Sequence, residues 1–392
     1  MAVEEEELTG VDQTAVAQRE EAPVAVEAER LFVASQWQLM WWRFRKHKMA
    51  MVSSIILIAF YLVAVFVEFI SPYDPNQYDV KYSYAPPVKL HFLDQQGKFH
   101  LRPFVYGLKY SRDPQTMKML FEPDYEKSYP VHFFVSGLQY KLWGTFSTDL
   151  HLFGLKDAEG QAVLFLLGTD RMGRDMFSRI VYGTRVSMSV GLVGVAISLV
   201  LGVLIGGVSG YYGGTVDTII QRTIEFLRSI PSIPLWMALS AAVPKEWSPL
   251  RVYFAITVLL SLIGWTTMAR VVRGRFLSLR EEDFVMSAML VGASELRIIV
   301  RHMVPSFLSH IIASLTMAIP GMILAETSLS FLGLGLRPPV ISWGVLLQES
   351  QNLRAVATSP WLLLPGLAVV LAVLAFNFVG DGLRDAADPY AR

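Results

Sequence analysis

The sequence predicts an all-α polytopic membrane protein of six transmembrane helices, with a β-rich external domain inserted between spans one and two. Three observations predict it. Of 392 residues, 53% are hydrophobic and only 17% charged, where soluble chains carry about 45–50% and about 25%. Mean hydropathy is +0.41. Six apolar stretches punctuate the chain, most of them near the ~20 residues that cross a bilayer core. Formal net charge is zero, so no basic field recruits nucleic acid. The chain has no cysteine, which excludes disulfides, thiolate metal sites, iron–sulfur clusters and a cysteine nucleophile.

The elements follow in order. Residues 1–30 hold Glu4 to Glu7, Glu20, Glu21, Glu27 and Glu29 among few large apolar residues. Such a segment cannot bury enough surface to order itself and reads as a disordered acidic tail. Residues 31–70 read as an interfacial helix and the first span. Trp37, Leu39, Met40, Trp41, Trp42 and Phe44 supply the headgroup-level face. The cluster Arg43, Arg45, Lys46 and Lys48 then places the N-terminus on the cytoplasmic side of a span over Met49–Val67. That span starts too late, and ends without a small-residue cleavage site, to be a secretory signal.

Residues 71–165 read as an inserted domain. Tyr78, Tyr82, Tyr84, Phe92, Phe99, Phe104, Tyr106 and Tyr110 are interleaved with Pro and Gly. Runs such as Lys98–Val105 and Val131–Val135 read as strands, with the aromatics as the domain's own core. Residues 166–392 read as a five-helix core. Its spans are Val186–Gly210, Ser229–Pro244, Val252–Ala269, Pro305–Phe331 and Trp361–Gly380. The third span overall, Ser229–Pro244, is short and carries Pro231 and Pro234; prolines at membrane depth point to a packed interior position. Six crossings return the C-terminus to the cytoplasm. Arg171, Arg174, Arg179 and Arg185 then lie outside, against the positive-inside rule, but they follow a long segment of the kind that translocates largely regardless of charge.

Catalytic and metal motifs are missing. There is no G-x-x-x-x-G-K-[ST] loop and no H-E-x-x-H. His302 and His310 are spaced for no common metal site. The run Gly206 to Gly210 is no nucleophile elbow, because Tyr211 stands where the last Gly is needed.

Three stretches carry information. Gly168, Thr169, Asp170, Gly173, Arg174 and Asp175 form a charge-laced turn before span two, with Asp or Thr as helix N-cap. In the loop 280–305, Asp283–Val291 reads as a short helix broken by Gly292. Ser294 caps a second helix that ends at Pro305. Two short helices with small residues at the tip make a knob suited to a groove in another protein; the plainer alternative is a helix lying on the membrane surface. Glu326 lies at membrane depth, where an acid usually faces the bundle interior or water. Packing or cavity lining suits it better than a proton relay.

Taken in order, these motifs resemble a known family. Gly168 to Asp175, Tyr211-Tyr212-Gly213-Gly214, Gly292 with His302 and Pro305, Ser328 to Gly335, and Asp381 to Asp385 with Asp388-Pro389 are similar to the inner-membrane permeases of peptide-type ABC importers, specifically the C-type subunit of dipeptide and oligopeptide systems. The likeness covers about residues 35–392 except the insert. It implies a non-catalytic subunit in a bacterial inner membrane, with both termini cytoplasmic and the insert periplasmic. It implies a homologous second permease, two cytoplasmic P-loop ATPases that carry ATP and Mg, and a periplasmic substrate-binding protein. This chain itself would carry no cofactor.

The resemblance also assigns residues. The ATPase-coupling loop of the family reads Glu-Ala-Ala, then Gly, then His and Pro. Met286, Ser287 and Ala288 stand at the first three positions, and Gly292, His302 and Pro305 match. Met286 replaces the family Glu, so apolar docking takes the place of a charge-assisted contact. Arg228, Ser229, Pro231 and Pro234 near the cytoplasmic mouth, with Glu326, are the gate or pathway candidates for alternating access. The substrate class is left open among peptides, oligosaccharides and nickel chelates. An ion-driven secondary transporter would need intramembrane acids and repeated halves, and a membrane-anchored receptor would leave the loop 280–305 unused.

Overall fold

The computed structural model describes residues 35–115, 118–156, 162–244 and 246–387. The acidic tail 1–30 and the Asp388-Pro389 end of the C-terminal motif lie outside them. Helix α1 (Gln36–Lys46) opens on a capping box, in which the Ser35 hydroxyl and the Gln38 side chain each bond the other's backbone N–H. His47 then caps α2 (Lys48–Val65), the first span. A short α3 (Val67–Ile70) continues from it. The bundle adds α4 (Met176–Tyr212), α5 (Gly214–Ser229), α6 (Ser232–Ala241) and α7 (Pro249–Leu279). Then come α8 (Asp283–Leu290), α9 (Leu308–Phe331), the short α10 (Trp343–Leu347) and α11 (Leu353–Thr358), and α12 (Leu364–Ala387).

Among the described residues five helices are long and apolar enough to cross a membrane: α2, α4, α7, α9 and the segment Pro360–Ala387. The expected third span is not a single membrane-length helix. It is the ten-residue α6, preceded by amphipathic α5. The break has a local cause: Ile230 is extended (ψ 127°) before Pro231, as the ring of a following proline demands. The fifth span likewise starts at Leu308, three residues after Pro305.

Glycine sets how the bundle packs. In α4, Gly202, Gly206 and Gly210 recur every fourth residue against α7. A Cβ at Gly202 would meet Met268 at 2.6 Å, one at Gly210 would meet the Arg273 carbonyl at 2.8 Å, and one at Gly206 would overlap the Ala269 carbonyl. Small residues at this spacing let two backbones approach in a medium that offers no hydrophobic drive between helices. Nearer the start of α4, Tyr253 donates to Ser189 (3.0 Å) and Ser261 to the Gly194 carbonyl (3.0 Å). The contacts advance along both helices together, so α4 and α7 run parallel. The main core gathers Met188, Val190, Leu260, Ile323, Trp343 and Phe376.

The insert is a four-stranded antiparallel sheet in the order β1 (His91–Leu93), β2 (Phe99–Arg112), β3 (Met119–Leu142), β4 (Phe146–Leu155). Its core is smaller than the sequence suggests. Phe104, Tyr106, Val105 and Val131 are buried, but Tyr78, Phe92, Phe99 and Tyr110 are exposed. A single four-stranded layer has too little interior to bury every aromatic it carries.

Candidate functional site

Two clusters at opposite ends of α4 hold the residues singled out by sequence. The first, a latch, forms where the insert meets the start of α4. Gly168 and Gly173 both adopt positive φ (72° and 75°). A Cβ on Gly168 would press on the Ala85 carbonyl and the Trp361 indole at 2.8 Å, and one on Gly173 would collide with the Asp79 carbonyl. Between them Asp170 accepts from the backbones of Met172 (2.8 Å) and Arg174 (3.0 Å) and from Arg174 Nε (2.6 Å). Arg179 lies 3.6 Å from the same carboxylate. Thr169 ties in residues 82–85: its hydroxyl donates to the Tyr82 carbonyl (2.5 Å) and accepts from Ala85 N–H (2.7 Å), while Trp361 donates to its carbonyl (2.8 Å). Asp175 caps α4 through Ser178 N–H (2.8 Å) and Oγ (2.6 Å).

Burial shifts the titration of the latch. It pushes the Asp175 carboxyl up to about 6, with nearby Asp170 adding to the shift. It also raises Glu349, again beside Asp170. Tyr84 is pushed up to about 12 by burial and the adjacent Glu349. A cavity of about 410 Å³ opens here, lined by Tyr84, Asp170, Arg171, Arg174, Arg179 and Glu349.

Of the four arginines around the start of α4, Arg174, Arg179 and Arg185 face carboxylates through their side chains, and Arg171 meets one through its backbone. Arg174 and Arg179 flank Asp170, and the Arg171 backbone donates to Glu349 (2.9 Å). Arg185 forks onto Glu68 (2.5 and 2.7 Å) and also donates to the Ala64 carbonyl (2.8 Å) at the end of α2. The motif analysis missed Glu68 and Glu349. Glu68 had a readable signal, since an acid just after span one and an arginine just before span two flank the same insert.

The second cluster, an elbow, lies at the other end of α4 and α7. Helix α8 turns at Gly292 (φ 80°), and the chain returns through Glu295–Arg297, a π-helical turn over Ile298–Met303 and Val304–Ser306. Val285, Ile298, Met303 and Phe307 are buried against Met268, Val272 and Phe276. The tip is the reverse: Met286 is 49%, Leu290 86% and Val291 88% exposed. Ser287 and Gly292 are exposed, Ala288 and His302 half-buried, and Pro305 exposed. A bidentate Arg273–Asp217 pair (both arms 2.5 Å) and a Tyr212–Glu295 hydrogen bond (2.6 Å) brace the base of the elbow. Asp217, Arg273 and Glu295 were not visible as a set, because the parallel pairing of α4 and α7 that gathers them is a tertiary fact.

The gate candidates separate. Arg228 is exposed at the end of α5 and donates to Thr267 (2.9 Å); Ser229, Pro231 and Pro234 are exposed along the α5–α6 break. Glu326 is elsewhere and fully buried. It accepts from Ser330 and Ser342 (2.7 Å each), with Ser187 at 3.5 Å. Ser187 and Ser342 in turn accept from the backbones of Trp343 and Val345. Glu326 therefore joins α4, α9 and α10. Among the described residues no group of three or more His, Asp or Glu is placed to hold a metal ion.

Comparison with known proteins places the chain. Residues 198–392 match the family described as binding-protein-dependent transport system inner membrane component, and residues 35–87 match the N-terminal TM domain of oligopeptide transport permease C. The oligopeptide transport system permease protein OppC of Bacillus subtilis (strain 168) is 37% identical over 57% of this chain and 72% of its own length. OppC of Haemophilus influenzae (strain ATCC 51907 / DSM 11121 / KW20 / Rd) is 39% identical over 57% and 70%. The dipeptide transport system permease protein DppC of Bacillus subtilis (strain 168) is 38% identical over 57% and 68%. The chain belongs to the inner-membrane permease family of binding-protein-dependent ABC importers, among its C-type oligopeptide and dipeptide permeases.

Proposed function

We propose that the chain forms half of a peptide translocation pathway and takes its driving force through the elbow. The carrying observation is the elbow's division into a buried base and an apolar tip. Val285 and its neighbours lock α8 onto α7 and α9, while Met286, Leu290 and Val291 stand in the open. A displacement imposed on the tip would therefore move the spans as one body. The expected occupant is one of two cytoplasmic P-loop ATPases, which carry ATP and Mg. A homologous second permease and a periplasmic binding protein complete the assembly.

The packing supports six crossings. With α4 and α7 parallel, residues 213–248 would return across the bilayer between them. Helices α5 and α6 are the available path, with 16 and 10 residues, or about 24 Å and about 15 Å of rise. The third crossing is then a broken helix. Arg228, Ser229, Pro231 and Pro234 mark its break as the flexing point of the gate, and Glu326 holds the packing against which it moves. The elbow end also carries Arg43, Arg45, Lys46 and Lys48, and Arg270, Arg273, Arg275 and Arg280. Both termini and the elbow are therefore assigned to the cytoplasm of a bacterial inner membrane, and the insert and latch to the periplasm.

The insert is assigned to the capture of the binding protein. Replacing residues 91–155 by a short Gly-Ser linker is expected to weaken that capture in proteoliposomes; unchanged affinity and uptake would remove the assignment. The coupling reading is tested by Gly292→Pro. Proline cannot adopt the φ of 80° found there. The variant should insert normally yet hydrolyse ATP without uptake, and normal uptake would refute the assignment.

A further inference from the structure

The tip of the β3–β4 hairpin has no role in the reading above, and its surface is unusual for a protein domain in water. From the base of the hairpin to its tip, Phe133, Phe134, Phe146 and Trp143 are 53–65% exposed. Leu138 and Leu150 are exposed beside them. Large contiguous apolar surfaces of this kind are rare on soluble domains and mark a contact with something apolar.

The backbone singles out two of these residues. Among the described residues three non-glycine positions have positive φ, and two are Phe134 (53°) and Trp143 (52°). Trp143 and Gly144 (φ 73°) are the central pair of a primed turn closed by Thr145 N–H to the Leu142 carbonyl (3.1 Å). That turn favours Asn or Asp ahead of the glycine, and a bulky indole there is strained. Strain kept at a turn tip points to a use for the side chain.

Both strained aromatics meet the emerging end of the first span. Phe134 packs on Phe69 (6.2 Å between ring centroids) and Trp143 on Phe66 (5.9 Å). The Trp143 indole N–H donates to the Val65 carbonyl (2.9 Å), which also accepts from Arg185. Val65 ends the outward-facing stripe Val52, Ile55, Ile58 and Leu62 of α2, a helix long and apolar enough to span the membrane. The hairpin approaches the bilayer as it runs. Near its base Phe153 packs on Phe177 (5.5 Å), whereas its tip lies level with Arg185, eight residues or about 12 Å further along α4 toward the membrane.

We propose that the β3–β4 hairpin is an interfacial membrane anchor, with Trp143 and Phe146 at its tip reaching deepest and Leu138 and Phe134 nearer the headgroup surface. The chemistry is that of interfacial Trp and Phe, where an apolar ring lies in lipid and a polar N–H finds a partner. The apolar surface is continuous with the membrane-facing stripe of α2, which selects a lipid occupant over a protein one. The insert would then be tethered to the bilayer at its far end as well as at the latch.

The natural chain has no cysteine, so single-cysteine variants F146C and L138C can carry a bimane label without further changes. Both positions are exposed, which leaves the fold intact, and L101C on β2 is the water-exposed control. In nanodiscs holding this chain alone, brominated phosphatidylcholine should quench the labels at 146 and 138 about twofold, with little effect at 101. A water-soluble maleimide should react slowly at 146 and 138. Rapid labelling and no quenching at both positions would overturn the proposal. Shielding that develops only when partner chains are added, without lipid quenching, would also overturn it and assign the surface to a protein.

Discussion

The latch and the elbow are built on the same two helices but satisfy opposite demands. In the latch, charge is enclosed. Asp170, Thr169 and Asp175 are buried, and hydrogen bonds bind the insert, the start of α4 and Trp361 into one piece. In the elbow, apolar surface is disclosed. Only the base is packed, and the largest exposed side chains sit at the tip. The contrast sets a latch packed within the chain against an elbow whose tip the chain leaves uncovered.

The largest effect is expected where the latch has no slack. Gly173→Ala adds a Cβ that collides with the Asp79 carbonyl in a left-handed residue. It should cost about 2–4 kcal/mol and lower the thermal midpoint of the purified protein; an unchanged midpoint would show that the turn yields. Arg185→Ala opens the ion pair to Glu68 and frees carbonyls at the end of α2. About 2 kcal/mol is expected, read in the same melt.

A pH series separates the two regions further. Asp175 is raised from 3.8 to about 6 in the folded state, so the fold holds a proton that the unfolded chain releases. Stability is then greatest below pH 3.8 as far as this group is concerned, and is lost as pH rises through about 6. Asp175→Asn should flatten that slope, and an unaltered slope would assign it to another group. The smallest effect on stability belongs to the elbow tip. Leu290→Ser should leave the melt within about 0.5 kcal/mol while weakening association with the ATPase. A destabilised Leu290→Ser would mean that the tip packs within the chain after all.

How far the sequence reached follows the same division. Features carried by consecutive residues were legible: the long apolar helices, the break at Gly292 and the β character of the insert. The expected third span, Ser229–Pro244, holds the ten-residue α6, and the backbone break at Ile230 lies at its start, where the following proline restricts the chain. The aromatics of the insert were taken as core because periodicity does not tell which face of a single sheet is covered. The partners of Arg185, Asp217 and Glu326 were out of reach, since each depends on a helix pairing far away in the chain.

The central claim is that the elbow tip docks a P-loop ATPase. A photocrosslinker placed on a single cysteine at position 290, in native membranes, tests it most directly. The account predicts a covalent adduct with a P-loop ATPase that Gly292→Pro diminishes. Adducts confined to lipid would contradict it and lay the elbow on the membrane surface instead.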